Sequence, residues 1–231
     1  MAPITPQRNS ALPWDGRPER ADMVIMGGIA ASGLYALLLL PLVPSLVGSH
    51  PALLELLKGS TVAIVTMGAL ARTGDASLFV ALAAGIPALI AFDWAYWWAG
   101  RRWGARAMQT LGGTHPKGLR RAERVRRLME RWGPVAVILG YILPVPTALV
   151  DAAAGWSGMR LAVFIVCDII GAFLWAGLLV GLGYGIGQPA VDVVHKISHY
   201  SLWATIAIVV FIVVREGRRG RAAYGGASRS S

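Results

Sequence analysis

Cysteine is almost absent. Cys167 is the only one in 231 residues, so neither a disulfide framework nor a thiolate metal site can be assembled. Charged residues are scarce too, at 15%. No G-x-x-x-x-G-K-[ST], H-E-x-x-H, C-x-x-C or G-x-S-x-G stretch occurs, which removes the common soluble phosphate-binding, metalloprotease, redox and serine-hydrolase signatures. His115, His195 and His199 lie in loops or near the ends of apolar runs without metal-site spacing. No cofactor and no metal is expected.

What remains is apolar. Hydrophobic residues make up 55% of the chain, and runs of about 18 or more read as membrane spans rather than soluble cores. The formal charge is +10, yet 18 of the 22 basic residues fall in three clusters outside the longest apolar runs. One is the N-terminal tail (Arg8, Arg17, Arg20), one is Arg101 to Arg131, and one follows Val214. That pattern fits the positive-inside rule better than a nucleic-acid footprint.

Residues 1–21 form a polar tail. Spans are expected at 23–48, 77–99, 161–187 and 200–214, the first of them an uncleaved span rather than a signal peptide. The aromatic group Trp94, Tyr96, Trp97 and Trp98, followed by Arg101 and Arg102, reads as an interfacial belt. Within 117–131, Leu119, Ala122, Val125, Leu128/Met129 and Trp132 recur at helical spacing among arginines. This predicts an amphipathic helix on an anionic cytoplasmic leaflet.

Two apolar segments are interrupted. Residues 52–71 contain Glu55, Lys58 and Gly59-Ser60-Thr61, and residues 134–156 contain Pro144, Pro146 and Asp151. Keeping all three basic clusters inside requires each interrupted segment to enter and leave on one side. The expectation is an all-α integral membrane protein of about four transmembrane helices. It also has two oppositely oriented re-entrant hairpins forming an inverted repeat, and the interfacial helix. Broken backbone at membrane depth is tolerated only where protein buries it or it lines a cavity. Pro144 and Pro146 then form a hairpin tip.

Several stretches carry a family resemblance: FDWAYWWAGRRWG from Phe92, AERVRRLMERWGPVAVILG, AGWSGM and DIIGAFLWAGLLVGLGYGIG. With Pro144, Ala154-Gly155, Gly171, Trp175, Gly183-Tyr184 and Gly187, the chain resembles the DedA family over roughly residues 50 to 187. These are bacterial membrane proteins sharing the VTT, or SNARE-associated Golgi protein, domain. The resemblance makes 22–214 the membrane domain and 215–231 a basic tail. It implies transport or flipping of phosphate-bearing lipids, such as undecaprenyl phosphate, often with proton coupling. It also implies acidic residues in the first hairpin and an arginine three positions either side of the second hairpin's proline. Here those positions hold Tyr141 and Thr147. Glu55 matches the family glutamate, and the later acidic position falls at Ser60.

The polar residues at membrane depth admit more than one reading. Asp151 is a site carboxylate, a neutral acid in an apolar site or a helix cap. Glu55 and Lys58 belong to the site or form a local i, i+3 ion pair. Asp168, where the family usually has asparagine, is expected chiefly in helix–helix hydrogen bonding, with a role in lining a cavity as the alternative. Asp93 matches a family aspartate and is set equally well at the interface with Arg101 or Arg102. Gly177, Gly181 and Gly185, spaced by four, are expected to admit a neighbouring helix. The functional expectation is a carrier or flippase in the bacterial cytoplasmic membrane with both termini inside. Glu55, Lys58, Asp151, Asp168, Tyr141 and Thr147 line its site, and Gly59, Pro144, Pro146 and Gly155 shape the hairpins. It is not expected to be an enzyme. The alternatives are a non-transporting scaffold and, with less support, a lipid-modifying enzyme. Expected partners are anionic lipids and not nucleic acid; a homo-oligomer stays open.

Overall fold

A computed structural model describes residues 13–14, 17–113 and 116–189. The expected span at 200–214 and the tail at 215–231 lie outside the described residues, as do residues 1–12. Within them every regular element is helical, and proline and glycine set most of the boundaries. α1 (Arg20–Leu39) passes through a 3-10 turn containing Pro41 into α2 (Val43–Ser49). Pro51 opens α3 (Pro51–Lys58) at a first-turn position, where its missing N–H has no helical partner to lose. Gly59 closes it at φ 58°, a left-handed conformation natural to glycine. Ser60 then leads into α4 (Thr61–Thr73). α3 and α4 form one helical hairpin.

The span expected at 77–99 falls within the membrane-length segment Leu78–Trp103, but it is divided into three helices: α5 (Leu78–Ala83), α6 (Ile86–Ile90) and α7 (Asp93–Trp103). Pro87 has no amide proton for the Ala83 carbonyl, and that breaks the first junction. Hydropathy is blind to this break because the residues around it stay apolar. α8 (Ala105–Gly112) and α9 (Pro116–Trp132) follow. α10 (Val135–Gly140) and α11 (Thr147–Trp156) form the second hairpin, turning at 141–146 through both prolines. α12 (Leu161–Ile186) matches the expected third long run.

Three segments among the described residues are long and apolar enough to cross a membrane: Arg20–Ser49, Leu78–Trp103 and Leu161–Ile186. Their outer faces stay apolar, with Leu38, Phe79 and Leu182 more than half exposed. Such a surface suits hydrocarbon rather than water. The protein is an integral membrane protein.

Packing relates the two halves. The outgoing arm of each hairpin crosses a helix of the other half: α4 packs on α12, and α11 on α7. Both crossings are built on glycine. A Cβ at Gly68 would strike the Val180 backbone, and one at Gly183 the Val65 carbonyl. A Cβ at Gly155 would strike the Trp97 carbonyl, and one at Gly100 the Ala152 carbonyl. In all four cases the glycine faces the residue three before its partner's glycine. Backbones this close exclude any side chain between them.

Gly177, Gly181 and Gly185 do not behave as expected. Nothing lies within 4 Å of a Cβ built at Gly181 or Gly185, and Gly177 meets only Leu82 at 3.9 Å. Regular spacing puts glycines on one face, and here that face is not the packed one. The amphipathic helix forms over the expected residues, and part of its apolar stripe is turned inward. Ala122, Val125 and Met129 of α9 are buried in the core that contains Met108, Leu149 and Val150. That part of its apolar stripe packs on the protein, while Leu128 stays half-buried and Trp132 is exposed. Two members of the aromatic belt are likewise internal. Trp97 stacks on Phe164 with centroids 6.3 Å apart, and the Tyr96 hydroxyl lies 2.7 Å from Ser32 Oγ of α1.

A polar knot ties α1 to the end of α7. Arg102 donates to Asp22 Oδ1 at 2.5 Å and to Glu19 Oε2 at 2.6 Å, while Trp103 Nε1 donates to Asp22 Oδ1 at 2.8 Å. Asp22 is covered by its partners although it lies close to the surface. Asp22→Ala and Arg102→Ala should each lower the melting temperature in detergent. The double variant should lose less than the two single losses combined, because the groups act as one unit. Strict additivity in that cycle would show the contact to be idle.

Candidate functional site

Three helices and one turn deliver a single cluster of oxygens. α12 contributes Asp168, α11 contributes Asp151, α7 begins with Asp93, and the turn after α10 contributes Tyr141. The Tyr141 hydroxyl donates to Asp168 Oδ1 at 2.9 Å and stands 3.5 Å from Asp93 Oδ2. One hydroxyl has one proton, so the shorter contact is the bond and the longer one marks proximity. Asp151 lies within electrostatic reach of both aspartates.

Gly171 makes this possible. A Cβ there would come within 2.7 Å of Tyr141 Cδ2 and 3.1 Å of Ile138 Cα. Without one, the tyrosine ring lies against α12 and its hydroxyl reaches Asp168, one turn back on the same face.

The electrostatics are one-sided. Asp151 and Asp168 are each 3% exposed, and Asp151 Oδ2 has no hydrogen-bond partner. Among the described residues, no lysine or arginine forms an ion pair with Asp93, Asp151 or Asp168. A buried carboxylate without a cation or donor is strongly disfavoured in its charged form. Proton binding is the chemistry open to such a cluster. No group of His, Cys, Asp or Glu placed to hold a metal ion occurs among the described residues.

A second carboxylate sits in the other half. Glu55 of α3 is fully buried, and neither of its oxygens has a hydrogen-bond partner. The Gly85 amide approaches it without reaching hydrogen-bonding geometry. A Cβ at Gly85 would lie 3.2 Å from Glu55 Cγ. The break between α5 and α6 therefore opens a seat for this side chain. Gly85 receives Glu55 much as Gly171 receives Tyr141, with the same separation along the chain in both halves.

The VTT domain matches residues 58–185, more than half of the chain. The chain belongs to the DedA family. Among its relatives, an uncharacterised membrane protein of Mycobacterium leprae is 31% identical over 119 residues, 50% of this chain and 56% of the relative. The inner membrane protein YohD of Escherichia coli is 28% identical over 121 residues, covering 50% and 58%. YabI of the same organism is 27% identical over 192 residues, covering 80% and 72%. The chain thus spans little more than half the length of the first of these relatives. No solved structure matches it significantly.

Placed in this DedA fold, the expected site residues separate. Tyr141, Asp151 and Asp168 converge, and Asp93 joins them. The interfacial pairing weighed for Asp93 does not form: Arg102 engages Asp22 and Glu19 instead. Asp168 takes its hydrogen bond from Tyr141 of the hairpin turn, where the expectation is a bond between helices. Glu55 stands apart. Lys58 is half-buried and pairs with neither Glu55 nor Asp151. Thr147 is exposed in the first turn of α11, and Pro144 and Pro146 are exposed in the turn. Gly59 packs its turn against Leu89 and the Gly85 carbonyl, and Gly155 carries the α7–α11 crossing. Sequence reasoning underrated Asp93 because it stands beside tryptophans. The signal available was the apolar run's only acid at that depth.

Proposed function

We propose that the protein is a proton-coupled transporter of DedA type that moves a lipid or another small anionic substrate across the bacterial cytoplasmic membrane. The observation that carries this reading is the cluster of Asp93, Asp151 and Asp168 around Tyr141, with Asp151 and Asp168 buried and no cation paired to the three among the described residues. The hairpins act as re-entrant elements of an inverted repeat, supported by the reciprocal glycine crossings. Both termini face the cytoplasm, supported by the basic clusters. The chain carries substrate and does no covalent chemistry on it.

The missing arginines give this reading its particular form. An arginine at 141 would stand beside three aspartates and neutralise part of their charge. Tyrosine cannot, so protons must do it. The competing reading, a scaffold with a degenerate site, draws on the same substitutions.

Proteoliposomes with fluorescent phospholipid or polyprenyl-phosphate probes, assayed with and without a pH gradient, separate the two. Gradient-dependent flipping is expected. Folded protein that moves none of the probes, under either condition, would favour the scaffold, and phosphate release would point to an enzyme. The topology has a separate check by single cysteines in a Cys167→Ser background. Labels near 50 and 72 should react from one side, and labels near 133 and 160 from the other. Opposite-side reaction within either pair would overturn the hairpin arrangement.

A further inference from the structure

α9 and the turn of the second hairpin enclose a groove of about 450 Å³. Its floor is apolar, made by Leu128 and Trp132 of α9 with Leu143 and Val145 of the turn. Its rim is cationic, with Arg124, Arg127 and Arg131. Their spacing of three and then four residues places the three guanidiniums on one helix face.

The remaining charges of α9 show which arginines are already engaged. Arg126 is held by Glu123 and Glu130, both at 2.5 Å, and its guanidinium draws the Glu123 carboxyl below the usual glutamate range. Arg127 reaches Glu123 only at 4.0 Å, and its side chain is 70% exposed. Arg131 lies over the Trp132 ring, 5.9 Å from its centroid, at the groove's edge. Arg124 forms no ion pair among the described residues. Carboxylates thus occupy one flank of the helix, and the flank facing the groove is left to an anion from outside.

The occupant must be both anionic and apolar. Guanidinium forks match phosphate oxygens in geometry as well as charge. An apolar floor suits acyl chains, and Ile142 of the same turn adds exposed apolar surface to it. The volume suits a headgroup and the first part of its chains. We infer that this groove is a docking site for an anionic diacyl phospholipid of the adjoining leaflet, its phosphate held by Arg124, Arg127 and Arg131. This goes beyond the transport reading and stands without it, since binding is read with no flipping step.

Trp132 is a built-in reporter. The full chain is placed in phosphatidylcholine nanodiscs carrying a small fraction of brominated phosphatidylglycerol or, in parallel, the same fraction of brominated phosphatidylcholine. The signal of Trp132 is obtained by difference from Trp132→Phe. Brominated phosphatidylglycerol should quench it at least about fivefold more effectively, the factor expected from one basic residue near an anionic lipid. The combined change Arg124→Gln, Arg127→Gln, Arg131→Gln should erase the preference while the melting temperature holds. If that variant misfolds, Arg127→Gln alone should reduce the preference. Equal quenching by the two lipids, or a preference untouched by the arginine changes, would overturn the inference.

Discussion

Gly155→Ala and Gly183→Ala are expected to leave little folded protein in the membrane, although each adds only a methyl group. At Gly155 the new Cβ would fall on the Trp97 carbonyl, and at Gly183 on the Val65 carbonyl. Both obstacles are backbone, so no rotamer change can relieve them and the helices must part. Overpacking of this kind costs roughly 1–3 kcal/mol and occasionally more, and rigid backbone on both sides puts these positions at the upper end. Gly181→Ala and Gly185→Ala supply the control on the same long helix, since no atom lies within 4 Å of either Cβ. Alanine's higher helix propensity should leave them neutral or slightly stabilised. Yield on fluorescence-detected size exclusion and melting in detergent read both pairs. A Gly155→Ala variant that melts with the parent would mean that α7 and α11 do not approach this closely.

That contrast also explains what could and could not be read from the chain. Membrane character, the long helix ending at Ile186, and the two turns at Gly59 and Pro144–Pro146 follow from local chemistry. Run length, missing donors and a left-handed glycine need no partner to be recognised. The choice among glycines does need one. Gly177, Gly181 and Gly185 have the regular spacing, whereas Gly68, Gly100, Gly155 and Gly183 each have a backbone opposite. Periodicity names a face without saying whether anything covers it. Asp93 and Asp151 present the same difficulty. They are far apart in sequence and meet only because α7 crosses α11. Tyr141 was legible as a departure from the family pattern, but its bond to Asp168 depends on the empty space above Gly171. The broken span is the reverse case: Gly85-Ile86-Pro87 announces the break locally, and high hydropathy conceals it.

The cluster around Tyr141 should answer to charge rather than to shape. Asp151→Asn is nearly isosteric and removes a proton-binding carboxylate, so flipping in proteoliposomes should lose its response to a pH gradient, falling by tenfold or more if protons drive the step, about 1.4 kcal/mol in the barrier. Asp151→Glu should retain part of the response. Tyr141→Phe keeps the ring against Gly171 and deprives Asp168 of its donor. An unsatisfied buried acceptor costs about 1–3 kcal/mol, so this variant should melt lower as well as transport less. Tyr141→Arg tests the logic most directly. It restores the family residue and sets a fixed positive charge among Asp93, Asp151 and Asp168. A permanent cation substitutes for the protons, so the aspartates stay charged and the pH response should flatten even where the chain folds normally. If Tyr141→Arg instead transports with an unchanged pH response, these aspartates are not the proton carriers. Glu55, buried alone over Gly85 in the other half, would then be the carboxylate to test next by Glu55→Gln.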